Sequence, residues 1–289
     1  MSPINNIPAV LDESDERQTD KFDYKVEQVP FHLPDGTRTR FLANVRTDNN
    51  EVLGCVTERY EVCQNSYLFE KSEDLFKSKG FSNFTRKAVV SKGGARARAI
   101  YDFPELGARV AGQDLTFRLK VQNSFDGSLR ASFLTGMFRL ICSNGLAIPV
   151  NAIGMTRKHT SSLDMEFVSR GFDSALKTFQ DAVPVLSAMS DTALTTPQGI
   201  TVLDNLVKRK VMTDRQKEGI ESVWSNPTYH EDRQRNLWNL YNAATQDLTH
   251  RVEGKRFELA ERVNSGILQA FTKAMRNGNG IQDLLVKLN

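Results

Sequence analysis

The chain has 289 residues, of which 39% are hydrophobic and 25% are charged, and its formal net charge is +3. This composition is typical of a globular protein with a sizeable core, and it excludes a disordered chain and a coiled coil. Hydrophobic runs stay well short of the roughly 18 residues of a transmembrane helix, and the N-terminus lacks the basic and apolar regions of a secretory signal, so a cytoplasmic protein is expected.

The small net charge hides a strong regional asymmetry. Residues 1–81 hold 10 Lys and Arg against 15 Asp and Glu, residues 82–163 hold 12 against 4, and residues 164–289 hold 16 of each. The net charges of these regions are therefore −5, +8 and 0. A concentrated positive field attracts polyanions, so the middle third predicts a polyanionic partner. The alternative is a basic surface that has no partner.

The N-terminal part of the chain predicts a tail, a small sheet and a helix. Residues 1–22 are polar and acidic and are expected to form a flexible tail. Three alternating runs follow between residues 25 and 63, separated by turn residues such as Pro34, Asp35 and Gly36. They predict an antiparallel meander. A helix is then predicted near 65–79, with Gly80 as its stop.

The basic middle third predicts further strands. Two alternating runs flank the Ser-Lys-Gly-Gly sequence at 91–94, which is typical of a hairpin turn. Two more runs, at 115–125 and 127–142, alternate in the same way. Because side chains alternate along a strand, Arg96 and Arg98 should share one face, and Arg118 and Lys120 should do the same. We predict that these cations face solvent.

From about residue 163 the hydrophobic period becomes helical. Six helical segments are predicted, with Pro184 kinking or interrupting the first: 163–189, 197–211, 213–224, 233–250, 256–276 and 281–288. The predicted fold is therefore α+β, with an antiparallel, β-rich, basic domain over 23–160 followed by a helical C-terminal region over 161–289. The helices either stand apart from the sheet or pack on it as one domain.

Residue patterns that carry catalytic chemistry are missing. The sequence has neither a P-loop nor a nucleophile elbow, and its histidines and cysteines lack the spacing of metal ligands. These residues are His32, His159, His230, His250, Cys55, Cys63 and Cys142. We therefore expect no enzyme, no cofactor, no metal, and three unpaired structural cysteines. A Cys142 nucleophile paired with His159 is the catalytic alternative, although a strand commonly buries its cysteine as a small apolar residue.

Three segments, in this order, resemble a known family. Segment 54–76 has Tyr60 before a Gln-Asn helix start, and 123–146 has an Asn-Ser-x-Asp-Gly turn and an Arg-x-x-Cys-x-Asn ending. Segment 236–250 contains Trp-x-x-Tyr-Asn-Ala-x-Thr. Over about residues 25–255 the chain is similar to the phage/plasmid-like proteins grouped as domain of unknown function 932. The resemblance implies an origin on a mobile element and a bacterial cytoplasm, and it supplies no catalytic residues.

The leading functional hypothesis is a nucleic-acid-binding protein of phage or plasmid DNA metabolism. Single-stranded DNA is the favoured ligand, and binding or annealing in recombination without covalent chemistry is the expected role. The predicted contacts are Arg86, Lys87, Lys92, Arg96, Arg98, Arg118, Lys120 and Arg130. Aromatic rings interleaved with these cations would stack on bases, unless they fill the core instead. They are Phe81, Phe84, Tyr101, Phe117 and Phe125.

Two further questions stay open at this stage. The chain could instead bind a host protein through its C-terminal helices, with Leu237, Trp238, Leu240 and Tyr241 as anchors or as core residues. A homo-oligomer is a further expectation.

If Arg96 and Arg98 face solvent, changing both to Glu should spare folding and weaken DNA binding. If these arginines are instead buried in ion pairs with the acidic N-terminal third, their role is structural.

Overall fold

The computed structural model of the protein describes residues 16–18, 22–139, 145–147, 153–157, 165–250, 257–276 and 280–286. Strands fill its N-terminal half and helices its C-terminal half, so the predicted α+β class is confirmed. The strands are β1 (Glu16–Gln18), β2 (Val26–His32), β3 (Arg38–Arg46), β4 (Val52–Thr57), β5 (Thr85–Ser91), β6 (Arg96–Val110), β7 (Gln113–Ser124), β8 (Ala131–Arg139), β9 (Gly145–Ala147) and β10 (Ile153–Arg157). The helices are α1 (Asn65–Ser78), α2 (Met165–Asp191), α3 (Thr196–Lys208), α4 (Asp214–Ser225), α5 (Leu237–His250), α6 (Phe257–Arg276) and α7 (Gln282–Leu285).

The strands form two antiparallel sheets. The predicted meander is the small sheet, in the order β2-β3-β4. The large sheet has the order β1-β5-β6-β7-β8-β10, and β9 also pairs with β8. A 3-10 turn, Lys92–Gly94, joins β5 to β6 as the predicted hairpin connection. Gly93 and Gly94 have φ angles of 65° and 103° there, which favour glycine.

One face of the large sheet, here called the inner face, packs against the helices. Tyr101 of β6 and Phe117 of β7 are completely buried on it. Their rings belong to an aromatic cluster that includes Phe76 of α1 and Phe172 of α2. The larger of two hydrophobic clusters extends from Phe22 to Leu284, so the helices pack on this sheet. The other face carries the predicted cations.

Buried amide side chains join the small sheet and α1 to the large sheet. The Asn123 amide of β7 donates to Asn65 Oδ1 at 2.9 Å and to the Cys63 carbonyl at 2.8 Å. Asn44 of β3 donates to the Phe125 carbonyl at 2.6 Å, and the Tyr60 hydroxyl donates to the Ser124 carbonyl. Because these donors are buried, their acceptors have no easy replacement for the lost hydrogen bond.

The predicted start of α4 agrees with the structure, whereas a predicted interruption of α2 does not. Thr213 is the N-cap of α4, and its hydroxyl and the Gln216 side chain form a capping box. Helix α2 runs through Pro184, so of the predicted kink or interruption the interruption is wrong. Part of the predicted tail is also ordered, because Glu16–Gln18 pairs with β5 and Phe22 is buried. The rest of residues 1–21 lies outside the described residues, as do Cys142 and His159.

The buried hydrogen bonds of Asn123 give the first testable prediction. Changing Asn123 to Ala removes two buried hydrogen bonds and leaves two acceptors without a donor, which should lower the free energy of unfolding by about 2–3 kcal/mol. Urea denaturation measures the change. Asn83→Ala, in an exposed loop, is the matched control and should alter stability by less than about 0.5 kcal/mol. Equal effects of the two substitutions would show that Asn123 does not stabilise the contact of α1 with the large sheet.

Candidate nucleic-acid interface

Strand register gathers five predicted cations on the face of the large sheet opposite the helices, here called the outer face. Across β5 and β6, Ser91 pairs with Arg96, Val89 with Arg98 and Lys87 with Ile100. Across β6 and β7, Arg98 pairs with Gln122, Ile100 with Lys120 and Asp102 with Arg118. Cross-strand partners lie on the same side of a sheet. The predicted grouping of Arg96, Arg98, Arg118 and Lys120 is therefore confirmed, and Lys87 joins them.

Several side chains of the outer face are buried, which the sequence did not predict. Val89, Ile100 and Lys120 are all buried, with Lys120 only 9% exposed. The solvent-facing position predicted for Lys120 is therefore wrong. Arg98 and Lys87 are half-buried, and Arg130, in the loop before β8, is exposed. Both Lys87 and Lys120 also take part in interactions within the fold.

Arg118 forms a nearly buried ion pair across β6 and β7. Its Nε lies 2.6 Å from Asp102 Oδ1, and its Nη2 lies 2.8 Å from Oδ2. The two side chains are only 16% and 15% exposed. This two-point geometry fixes the plane of the guanidinium. Arg118 is thus held in a structural pair and is not the solvent-facing cation that was predicted.

A second carboxylate, Asp126, organises the corner where β6 begins. The Arg96 Nε donates to Ser128 Oγ at 2.9 Å and lies 3.6 Å from Asp126 Oδ2, and the Lys92 Nζ lies 3.8 Å from the same oxygen. Burial alone would raise the pKa of Asp126, but hydrogen bonds from Ser128 and the charges of Arg96 and Lys92 outweigh it and lower the pKa. Asp126 therefore stays ionised and holds both cations in place.

These contacts change the expectation for the Arg96 and Arg98 double reversal. The Arg96 side chain is only 19% exposed and lies beside Asp126. A glutamate at position 96 would place two carboxylates together, so the substitution should cost stability. Neutral glutamine substitutions, which introduce no carboxylate, are better probes of binding.

Arg86 does not belong to the outer face, so that part of the predicted site is wrong. It pairs with Tyr101, whose side chain points into the core. The Arg86 Nη1 lies 2.7 Å from Glu73 Oε1 of α1, and its guanidinium lies 4.8 Å from the ring centre of Phe22. Arg86 therefore fastens α1 and residue 22 to the edge of the sheet, through a partner in the acidic N-terminal third.

The aromatic residues predicted to stack on bases lie in the core. Tyr101, Phe117 and Phe125 are completely buried, and Phe81 and Phe84 pack against the core from half-buried positions. Their ring faces contact other aromatic rings, as in the edge contact of Phe84 with Tyr101 at 5.7 Å. Base stacking on Tyr101, Phe117 and Phe125 is therefore excluded in this fold.

The anchors of the host-protein alternative are also core residues. Leu237, Trp238 and Leu240 are completely buried, and Tyr241 is 1% exposed. The Trp238 indole donates to Gln113 Oε1 at 3.1 Å, which ties α5 to the start of β7. These residues hold the helices on the sheet and offer no surface to a partner.

The remaining chemistry fits structural roles. Cys55 is exposed and free, and Cys63 is free and half-buried, with its thiol pKa raised by burial to about 12. In the described ranges, no group of three His, Cys, Asp or Glu side chains is placed to hold a metal ion. Among the helices that the structure describes, none is both long and apolar enough to cross a bilayer.

Sequence reasoning missed the polar neighbours of the cations. Asp102 and Asp126 hold the guanidinium groups, while Ser91 and Gln122 lie between them on the same face. Strand parity was the available signal for Asp102, which is four residues from Arg98 and therefore on its face. Asp126 gave no such signal, because its position depends on how the loop after β7 folds.

Fold and face together define an α+β protein with a helix-covered sheet whose opposite side is cationic. The chain belongs to the family described as Domain of unknown function (DUF932), whose model matches residues 52–278. No curated protein and no solved structure matches the chain. The family segments around Tyr60 and Asn123 meet at the joint between the sheets, and the segment around Trp238 joins α5 to β7.

The Arg118 and Asp102 pair gives a stability prediction. Asp102→Ala leaves a nearly buried guanidinium without its carboxylate and should lower the free energy of unfolding by about 2–4 kcal/mol. Asp114→Ala is the control, because Asp114 is 68% exposed and lies 3.7 Å from an exposed Arg109. It should cost less than about 0.5 kcal/mol. Chemical denaturation of both variants measures these changes. An Asp102→Ala variant as stable as the unchanged protein would mean that water solvates the pair.

The two described cysteines should differ in reactivity. Burial raises the pKa of the Cys63 thiol to about 12 and so suppresses its thiolate at pH 8, whereas Cys55 is exposed. Brief alkylation of the native protein, followed by peptide mass spectrometry, should label Cys55 and spare Cys63. Both should react in urea. Equal labelling of the native protein would contradict the burial of Cys63.

Proposed function

We propose that the protein binds nucleic acid, preferentially single-stranded DNA, through contacts of the outer face with the phosphate backbone. The carrying observation is the charge of the paired strands at 85–91, 96–103 and 117–124. On their outer face these fully described segments place five cations, Lys87, Arg96, Arg98, Arg118 and Lys120, against one acid, Asp102. Asp126 of the following loop and Glu16 of β1, which pairs with Ser91, bring the acids to three, so cations still outnumber acids among the described residues of this face.

Phosphate contacts suit this surface better than base contacts. Neutralising phosphates with Lys and Arg releases condensed counterions, which supplies affinity without reading sequence. The aromatic rings are engaged in the core, so base stacking on them is not part of the proposal. A single strand is more flexible than a duplex, and its backbone can adapt to half-buried cations more easily than a rigid duplex can.

The biological setting is proposed from the resemblance to phage/plasmid-like proteins. We infer that the protein serves DNA metabolism of a mobile element in the bacterial cytoplasm, as a binding or annealing factor in recombination that performs no covalent chemistry. Annealing by such a factor would bring two strands together on several copies of the protein, so a homo-oligomer is part of this proposal. Accelerated pairing of complementary oligonucleotides without added nucleotide would support it.

A triple substitution tests the interface. Lys87→Gln, Arg98→Gln and Arg130→Gln together remove three charges at or beside the outer face. Titration of a fluorescent oligo(dT) at several chloride concentrations should show weaker binding, with a log–log salt slope smaller by about 2, since single strands lose about 0.7 per phosphate contact. Thermal unfolding of the variant checks that the fold is intact.

The matched control removes the same charge elsewhere. Lys71, Arg170 and Lys177 have side chains 42%, 55% and 74% exposed and lie on helices α1 and α2, away from the outer face. Changing all three to Gln should leave the salt slope close to that of the unchanged protein. An equal loss in both triple variants would indicate a response to net charge alone, and a flat salt dependence of the unchanged protein would refute nucleic-acid binding.

A further inference from the structure

A small polar hollow opens on the outer face between the ends of β5, β6 and β7. It has a volume of about 20 Å³, and its polar lining comes from Ser91, Arg96, Arg98 and Gln122, with Val89 and Leu129 beside them. The strand register explains the grouping, because Ser91 pairs with Arg96 and Gln122 pairs with Arg98. Three adjacent strands therefore supply a hydroxyl, two guanidinium groups and an amide to one place.

The walls of this hollow are held by hydrogen bonds of the loop after β7. Ser124 Oγ donates to the Leu129 carbonyl at 3.0 Å and accepts from the Leu129 amide at 3.2 Å, which folds Leu129 against the sheet. Ser128 and Asp126 hold the Arg96 Nε from the same side. The hollow is thus built by the fold and does not depend on one flexible side chain.

The lining chemistry selects an anion with several acceptor oxygens. Guanidinium groups donate only, a serine hydroxyl and a glutamine amide can also donate, and arginine is the preferred partner of phosphate. The Lys92 Nζ and the Arg96 Nε lie 3.8 and 3.6 Å from the Asp126 carboxylate at this corner, and Glu16 of β1 pairs with Ser91 at the adjacent edge. Two guanidinium groups line the hollow itself, and their N–H donors favour an anion there.

The small volume of the hollow means that only part of a larger anion can enter it. A cavity needs roughly 10–15 Å³ to hold one water-sized group, so this one accepts a single oxygen. We propose that the hollow binds one non-bridging oxygen of a phosphodiester, whose remaining atoms stay at the mouth where a polynucleotide chain can enter and leave. This inference rests on the proposed function and assigns a phosphate position within it.

Neutral substitutions separate this site from the general field of the face. Ser91→Ala and Gln122→Leu remove donors without removing charge. Each should weaken oligo(dT) binding roughly fivefold, the worth of about 1 kcal/mol of hydrogen bonding, while the salt slope stays unchanged. Thr85→Ala and Thr116→Val are the controls, since both lie on the outer face away from the hollow, and neither should change binding.

Each alternative outcome has a distinct meaning. If both donor variants bind as the unchanged protein does, while the Lys87, Arg98 and Arg130 triple variant binds weakly, the hollow is overturned and the proposed function stands. If the unchanged protein shows no salt-dependent binding, both fail. Inorganic phosphate, compared with chloride at equal ionic strength, should compete poorly. Strong competition would overturn the diester in favour of a free phosphate ligand.

Discussion

The pairing of β6 with β7 is the constraint on which the rest of the structure depends. Its register, with Tyr101 opposite Leu119 and Phe103 opposite Phe117, directs the large apolar side chains of both strands toward the helices. Since side chains alternate, the same register directs the cations to the other side. A slip of one residue would bring the arginines against α2 and expose the aromatic cluster. The packing of the core therefore determines where the positive charge lies.

Connections between elements explain much of what the family segments do. Tyr60 and Asn65 belong to one segment and Ser124 and Asn123 to another, and they meet as hydrogen-bond partners at the joint between the sheets. The third segment contributes Trp238, which reaches Gln113 at the start of β7. These links position the loop after β7, and that loop contains Asp126, which holds Arg96. The hydrogen bonds between the family segments therefore also determine where Asp126 holds Arg96.

Local patterns predicted the elements, whereas pairing between distant strands decided the site. Turn residues and alternation located the hairpin at 91–94, and Thr213 marked the start of α4, because these signals are local. The face of Arg86 and the pairing of Arg118 with Asp102 depend on registers that no single segment contains. One correction was nonetheless available from the sequence. The parity that grouped Arg96 with Arg98 already placed Tyr101 on the opposite face, which argues against stacking beside these cations.

The carboxylates on the outer face set a balance between stability and the proposed binding. Five cations on adjacent strands would repel each other, and Asp102 and Asp126 reduce this repulsion while fixing guanidinium orientations. Fixed donors lose less entropy when a phosphate arrives. An incoming phosphate must also compete with Asp126 for Arg96, so each contact contributes modestly. Modest contacts give useful affinity only when several form along one chain, an arrangement that favours an extended polyanion over a small one.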